Sequence, residues 1–419
     1  DRIPQADAEK SLCNLAVLMG LIKYQDSSWQ NSEGKAIVLD KYLSMNRQTI
    51  LNNTLIRKLE DNLHDHNMLR YHIRANLQSA TEQESFSFSI RNKDLPYHIP
   101  DNWYLTTDSN NSETTQVEVT GDLQILLKDY RKSSVQCAGQ LPTGFKPGQI
   151  YPSRNHPRGL QLTVFGASDA IDSMGIDWEL IRSVVPPDQI SVYAGSSMSQ
   201  LDYNGNGGML QARLLGKKVS SKQLPLGFTE MPADFINAYL LGNIGSTGTN
   251  QGACATFHYN LSQGIKDIQN GSHRVVIVGG SEAPIVPEII EGFVNMGALA
   301  DDNKLLALDA HKNLSTPDHR RASRPFGDNT GFTLGESAQF IVLFDDSLAM
   351  ELGANILGAV NDVFINADGY KKSIASPGIG NYITLAKAVA ATKAVLGESG
   401  LRNKTYLQAH GTSTPQNRV

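Results

Sequence analysis

Two hydrophobic patterns divide the chain. From residue 121 onward, short unbroken apolar runs alternate with stretches in which apolar residues recur every three to four positions, and glycine-rich turns punctuate them. The runs at 190–194, 274–278, 340–344, 356–364 and 406–409 predict buried strands, and the spacing over 160–174 (Leu162, Phe165, Ile171, Met174) and 379–396 predicts helices. A further helix is predicted just after residue 254, where Phe257, Leu261, Ile265 and Ile268 share one face. Strands apolar on both sides and separated by helices predict an α/β architecture, mostly parallel and covered on both faces.

Residues 1–115 are patterned differently. Leu12, Leu15, Leu18, Met19 and Ile22 mark one amphipathic stretch, and Leu51, Leu55, Ile56 and Leu59 mark a second over 50–64, which together predict a variable, largely helical N-terminal region. The run 106–115 (Thr-Thr-Asp-Ser-Asn-Asn-Ser-Glu-Thr-Thr) has the composition of a loop or linker and sets the edge of that region. Asp1 and Val419 do not read as natural ends, because the chain starts without Met and stops just after a motif.

Charge and composition exclude several classes. The formal net charge is -5, which gives no electrostatic argument for nucleic acid or an anionic membrane surface, and no apolar run approaches membrane-spanning length. Cys13, Cys137 and Cys254 are too far apart, and odd in number, for a disulfide framework or a zinc site, so a reducing, cytoplasmic setting is expected. His64, His66 and His72 cluster without a supporting Cys or carboxylate pattern and read as a solvated helix end, so no metal is expected. The P-loop pattern is absent, and the glycine run from Gly242 leads to a cysteine rather than to a dinucleotide fingerprint.

Two stretches carry candidate chemistry. Cys254 lies between a glycine-rich turn (Gly242, Gly245, Gly248, Gly252) and the start of a helix. There, free backbone N–H groups and the helix dipole favour a thiolate and could hold an oxyanion, although a cysteine among Gly and Ala can equally be a small buried hydrophobe. The second stretch is Ala409-His410-Gly411-Thr412-Ser413-Thr414-Pro415, directly after the run at 406–409. A histidine at the carboxyl end of a strand in an α/β fold faces a ligand crevice, where it can donate a hydrogen bond or move a proton; a turn histidine satisfied by nearby backbone is the alternative. Phe293 behind Gly292 is, taken alone, an aromatic that usually signifies packing.

These residues occur in one order with others: Ala253-Cys254-Ala255-Thr256, Val278-Gly279-Gly280-Ser281-Glu282-Ala283, Gly292-Phe293 with Ala298-Leu299, Arg324-Pro325-Phe326, Gly331-Phe332 with Gly335-Glu336, and His410 to Pro415. In that order, and with His156-Pro157-Arg158-Gly159, the chain resembles the β-ketoacyl-acyl carrier protein synthases over about residues 150–419. The N-terminal part resembles an extended bacterial subgroup that starts fatty acid synthesis from a short acyl-CoA primer.

The resemblance implies a thiolase-like αβαβα fold of two similar halves, the first over 116–353 and the second beginning at 354–419, and a homodimer. It implies that Cys254 carries the acyl primer as a thioester and that His410 stabilises the enolate formed as malonyl-acyl carrier protein loses carbon dioxide. Thr412 and Thr414 match positions that hold the phosphopantetheine arm, and Phe293 matches an aromatic gate. No resident cofactor is implied. A second histidine and a lysine that the family carries downstream do not occur before Val419, and Arg418 stands where most relatives have Asp. A non-condensing acyl-binding partner subunit of the same fold and a thiolase are the alternatives.

Overall fold

The computed structural model describes residues 8–61, 69–78, 84–107, 111–370 and 378–415. The chain forms two compact units, one of residues 65–133 and one of everything else.

The larger unit opens with α1 (Ala8–Leu18), the hairpin β1 (Ile22–Gln25) and β2 (Ser28–Asn31), α2 (Leu39–Asn52) and β3 (Leu55–Lys58). Leu12, Ala16, Ile22, Leu43 and Ile50 bury a small core between these elements. The first amphipathic stretch is therefore a helix as far as Leu18, while Ile22 opens β1. The expected helix over 50–64 does not form: α2 stops at Asn52, and 55–58 is a strand. Its cause is tertiary: residues 55–58 pair with Cys137–Gln140, and the buried Arg57 side chain donates to the Leu55, Gln140 and Leu141 carbonyls and to Glu60.

Residues 65–133 correct the helical expectation more thoroughly. Described there are five antiparallel strands: β4 (Leu69–Leu77), β5 (Ser85–Arg91), β6 (Trp103–Thr107), β7 (Thr114–Thr120) and β8 (Leu123–Arg131). β4 pairs with β8, and β7 runs between β5 and β6. Strict alternation in Ser-Phe-Ser-Phe-Ser-Ile-Arg puts Phe86, Phe88 and Ile90 on one face, and Val117 and Val119 of β7 are buried. The expected linker at 106–115 has its two ends in β6 and β7, so it is a strand connection rather than a boundary. His64 and His66 lie outside the described residues; His72 lies on β4. Among the described residues no cluster of His, Cys, Asp or Glu is arranged to hold a metal.

The rest of the larger unit is the α/β body. It contains β9 (Cys137–Gln140), α3 (Arg158–Asp172), α4 (Trp178–Val184), β10 (Ile190–Gly195), α5 (Asn206–Gln211), α6 (Met231–Ile236), β11 (Thr247–Gly248), α7 (Thr256–Gln269), β12 (Val275–Glu282), α8 (Pro287–Asn295), α9 (Asp302–Leu308), β13 (Ser337–Phe344), α10 (Asp346–Glu351) and α11 (Ile379–Asn403). The central sheet has the order β11-β10-β12-β13, with β10 parallel to β11 and β12, and β13 antiparallel to β12.

Both faces of that sheet are covered, which is why its strands read as unbroken apolar runs. Val275 and Ile277 pack with Ala167 of α3 on one side, while Val276 and Val278 pack with Leu261 and Ile265 of α7 on the other. Two glycines let the helices approach: a Cβ on Gly166 would lie 2.8 Å from Ala338 Cβ, and one on Gly264 would lie 2.9 Å from Val276 Cγ1. The expected helix over 379–396 is the first part of α11, which breaks at Gly397 with φ +69°.

Two expected strands do not form. Residues 356–364 and 406–409 are described, but no strand pairs with them among the described residues. Apolar runs report a preference for burial, whereas a strand also needs a neighbouring backbone. Here Leu357 is 90% exposed and Tyr406 is 89% exposed. No helix among the described residues is long and apolar enough to cross a membrane.

Candidate active site

β10 and β12 end side by side, and the turn before α7 follows β11 on the same sheet. Cys254 sits in that turn, at the centre of the short helical segment Ala253–Ala255 that runs straight into α7. It is exposed, unlike Cys137, which is buried, so the reading of Cys254 as a small buried hydrophobe fails. Ala253 adopts φ +49°, a left-handed conformation that costs a residue with a Cβ about 1–2 kcal/mol. Strain of this kind persists only where the surroundings over-determine it. Thr256 does so here: its Oγ1 accepts from Gly252 N (3.0 Å) and donates to Ala253 O (2.8 Å). The residue at the start of α7 is Ala255, which offers no side-chain cap; the amides of Ala255 and Thr256 are satisfied instead by Gly252 O and Ala253 O, as the short helical segment continues into α7.

At the end of β10 the chain turns through Ser196, Ser197 and Met198. Glu282, the last residue of β12, accepts from Ser197 N (2.5 Å), Met198 N (3.1 Å) and Ser196 Oγ (3.1 Å). Ser197 Oγ donates to Gln251 Oε1 at 3.0 Å, and Thr256 Oγ1 lies 3.3 Å from the same oxygen. Met198 helps line an apolar cavity of about 460 Å³ with Leu201, Leu210, Ile289, Met296 and Phe293; Gln211 and Glu288 line it too and hydrogen-bond to each other.

Phe293 leads to the second motif. Its ring packs edge-on against Phe332, with centroids 5.1 Å apart. Phe332 exchanges backbone hydrogen bonds with Ala298 O (2.9 Å) and Ala300 N (3.1 Å). Gly331 must be glycine for this approach, because a Cβ there would lie 2.4 Å from the Leu299 carbonyl carbon, in a left-handed backbone with φ +154°. The Gly331 amide in turn donates to Ser413 O at 3.0 Å. Ser413 is buried, with φ +64°; its Oγ accepts from Arg324 N (2.7 Å) and lies 3.2 Å from Ser323 Oγ. Arg324 is anchored by both oxygens of Asp309, whose carboxyl is held below the usual range chiefly by that hydrogen-bonded guanidinium. Gly411 lies flat on Pro325 and Phe326, where a Cβ would come within 2.7 Å and 2.8 Å of their side chains.

The segments around Phe293, Ala298–Leu299, Arg324–Phe326, Gly331–Phe332 and His410–Pro415 are thus one contiguous construction. Thr412 and Thr414 present hydroxyls 2.8 Å apart at its surface, and His410 is exposed beside them. No hydrogen bond joins Cys254 to His410 among the described residues. Arg418 lies outside them. Reading single residues missed the parts played by Glu282, Ser413 and Gln251; an acid in the last position of a buried strand, as at Glu282, is the signal that could have marked the first.

Comparison with known proteins shows what the chain is similar to. The description "Beta-ketoacyl synthase, N-terminal domain" matches residues 157–349. The Beta-ketoacyl-[acyl-carrier-protein] synthase FabY of Pseudomonas aeruginosa is 49% identical over 99% of this chain, which spans 64% of that relative. The chain is similar to the β-ketoacyl synthases and spans just under two thirds of this relative. A 3-oxoacyl-[acyl-carrier-protein] synthase 2 of Synechocystis is 30% identical over 58% of this chain and 54% of its own length. The crystal structure of the noncanonical ketosynthase FabY from P. aeruginosa superposes with a TM-score of 0.93, covering 100% of this chain and 64% of that one at 49% identity. The fold is therefore the thiolase-like α/β fold of the β-ketoacyl synthases, with the antiparallel residues 65–133 in place of the expected helical extension.

Proposed function

We propose that the protein is a condensing enzyme of fatty acid synthesis. The observation that carries this reading is the exposed Cys254 in a strained turn at the uncapped start of α7, in a chain similar to the β-ketoacyl synthases. The Cys254 thiolate attacks the thioester carbonyl of an acyl primer, and the primer's thiol leaves. The backbone N–H of Cys254 itself holds the oxyanion in that step. Malonyl-acyl carrier protein then loses carbon dioxide, with His410 stabilising the enolate. The enolate carbon attacks the acyl-Cys254 carbonyl, releasing the thiolate and giving β-ketoacyl-acyl carrier protein. Thr412 and Thr414 hold the phosphopantetheine arm, a role their paired hydroxyls support, and Phe293 gates the apolar cavity it lines.

The primer is a short acyl-CoA, the protein works as a cytoplasmic homodimer with acyl carrier protein, and it needs no metal or resident cofactor. In the full-length protein, Cys254→Ala should abolish acyl-enzyme formation by mass spectrometry; persistence of the acyl-enzyme would refute the nucleophile. Incubation with acetyl-CoA should label Cys254, and labelling only by a long acyl-carrier protein would refute the short primer. Retention of Cys254 argues against a non-condensing partner subunit, and release of carbon dioxide from malonyl-acyl carrier protein separates the reaction from that of a thiolase.

A further inference from the structure

The proposed chemistry leaves Glu282 unused, although it is an acid at the end of a central, buried strand. Its carboxylate gathers the amides of Ser197 and Met198 and the hydroxyl of Ser196, so one side chain fixes three consecutive residues of the β10 turn. Amide donors to an ionised carboxylate are the stronger class of hydrogen bond, and both oxygens are engaged, which sets the turn's orientation as well as its position.

That turn has two outward connections. One is the Met198 side chain, a wall of the 460 Å³ apolar cavity on whose lining Phe293 also lies. The other is Ser197 Oγ, which donates to Gln251 Oε1. Gln251 lies three residues before Cys254, and its Oε1 is 3.3 Å from Thr256 Oγ1, the hydroxyl that braces Gly252 and Ala253. A chain of polar contacts therefore runs from the cavity wall to the turn that presents the thiol, its last link the 3.3 Å approach of Gln251 Oε1 to Thr256 Oγ1, whose one proton is shared with Ala253 O. Space is tight along it: a Cβ on Gly195 would lie 2.2 Å from Thr249 Oγ1 and 2.7 Å from Gln251 Nε2, so the strand end and the cysteine loop cannot slide independently.

We propose that Glu282 is a positioning residue: acting through Ser197 and Gln251, it sets the apolar cavity wall at Met198 in register with the Cys254 turn, so that an acyl chain in the cavity brings its carbonyl to the thiol. This rests on the reading of Cys254 as the acyl-carrying nucleophile. Glu282→Gln keeps size and one acceptor but turns an N–H towards one of the two amide donors, which releases the clamp without emptying space.

The test uses the full-length protein and three readouts. Hydrogen exchange at the Ser197 and Met198 amides reads the clamp itself and should quicken about tenfold or more in Glu282→Gln, as loss of a charge-assisted bond implies. Loading of Cys254 by acetyl-CoA and hexanoyl-CoA should slow by about tenfold, with the ratio between the two donors altered, while alkylation of the same thiol by iodoacetamide, which needs no cavity, stays within about twofold. Ser197→Ala, which removes only the link to Gln251, should leave the Ser197 and Met198 amides protected and slow loading about threefold. Unchanged exchange and loading in Glu282→Gln would overturn the proposal, as would loading and alkylation that fall in equal proportion. Should Glu282→Gln not fold, Ser197→Ala decides by the same comparison. A wild-type protein that no acyl donor labels would instead refute the condensing-enzyme reading, while the exchange result would still judge the clamp.

Discussion

Ser413 offers the sharpest test of how the second motif is built. Its Oγ is the acceptor for the buried Arg324 amide at 2.7 Å, and its own carbonyl receives Gly331 N, so it ties the His410 segment to the Arg324–Phe326 segment and to Phe332. Ser413→Ala removes an acceptor that is itself buried and leaves the Arg324 N–H without this partner, at a cost of about 1–3 kcal/mol. If exchange of the Arg324 amide proceeds by local opening, that cost predicts about 5- to 150-fold faster exchange in the full-length protein. Ser413→Gly loses the same bond but escapes the penalty of φ +64°. It should therefore lie about 1 kcal/mol closer to wild type than Ser413→Ala. Both variants should slow carbon dioxide release from malonyl-acyl carrier protein, because His410, Thr412 and Thr414 ride on the released segment. Arg324 exchange unchanged in Ser413→Ala, or a glycine variant no better than the alanine one, would refute the argument.

Further expectations are independent of that segment. Gly279→Ala would place a Cβ 2.1 Å from Phe340 Cδ1 and 2.4 Å from Gln339 O on the adjacent strand, and should cost about 3 kcal/mol in urea unfolding, whereas Gly292→Ala, in α8 with nothing within 4 Å, should stabilise by about 0.5–1 kcal/mol. Asp345 feels burial, which raises its carboxyl, but hydrogen bonds from Arg274, Ser347 and the Leu348 amide outweigh it and hold the carboxyl down to about 2. A folded value below the ordinary 3.8 means that its stabilisation is complete above about pH 4 and is lost as pH falls towards 2. Asp345→Asn should therefore cost about 1–2 kcal/mol at pH 7, after allowance for screening, with the difference from wild type closing between pH 4 and 2 in urea midpoints. Burial, reinforced by the Asp302 carboxylate, pushes the Cys137 thiol up to about 12, so iodoacetamide at pH 8 should label the exposed Cys254 and spare Cys137 until the protein is unfolded.

The sequence was most legible where one residue type answers one demand. The runs at 190–194, 274–278 and 340–344 are strands because both faces of the sheet are buried, so no polar alternation interrupts them. Cys254 was placed correctly at a helix start by the spacing of Phe257, Leu261, Ile265 and Ile268. What escaped is pairwise. Residues 85–91 and 114–120 alternate with period two, but the first lies inside the region expected to be largely helical and the second begins at its linker edge, and only their mutual register makes them a sheet. Ser413 gives no local sign of its left-handed backbone or of its hold on Arg324, because both arise from a segment ninety residues away. Glu282 likewise has a meaning only once the ends of β10 and β12 are adjacent.

The unpaired residues 356–364 and 406–409 carry a consequence for handling the molecule. Segments that no described strand pairs, carrying exposed apolar side chains such as Leu357, Tyr406 and Leu407, are a template for another extended strand. In a solution of this 419-residue polypeptide alone, the nearest such strand belongs to a neighbour. Self-association and chaperone capture then compete with the native state at these two segments rather than at the turn that carries Cys254. Charged substitutions at Leu357 and Leu407 would act as gatekeepers, raising yield without touching the acyl chemistry.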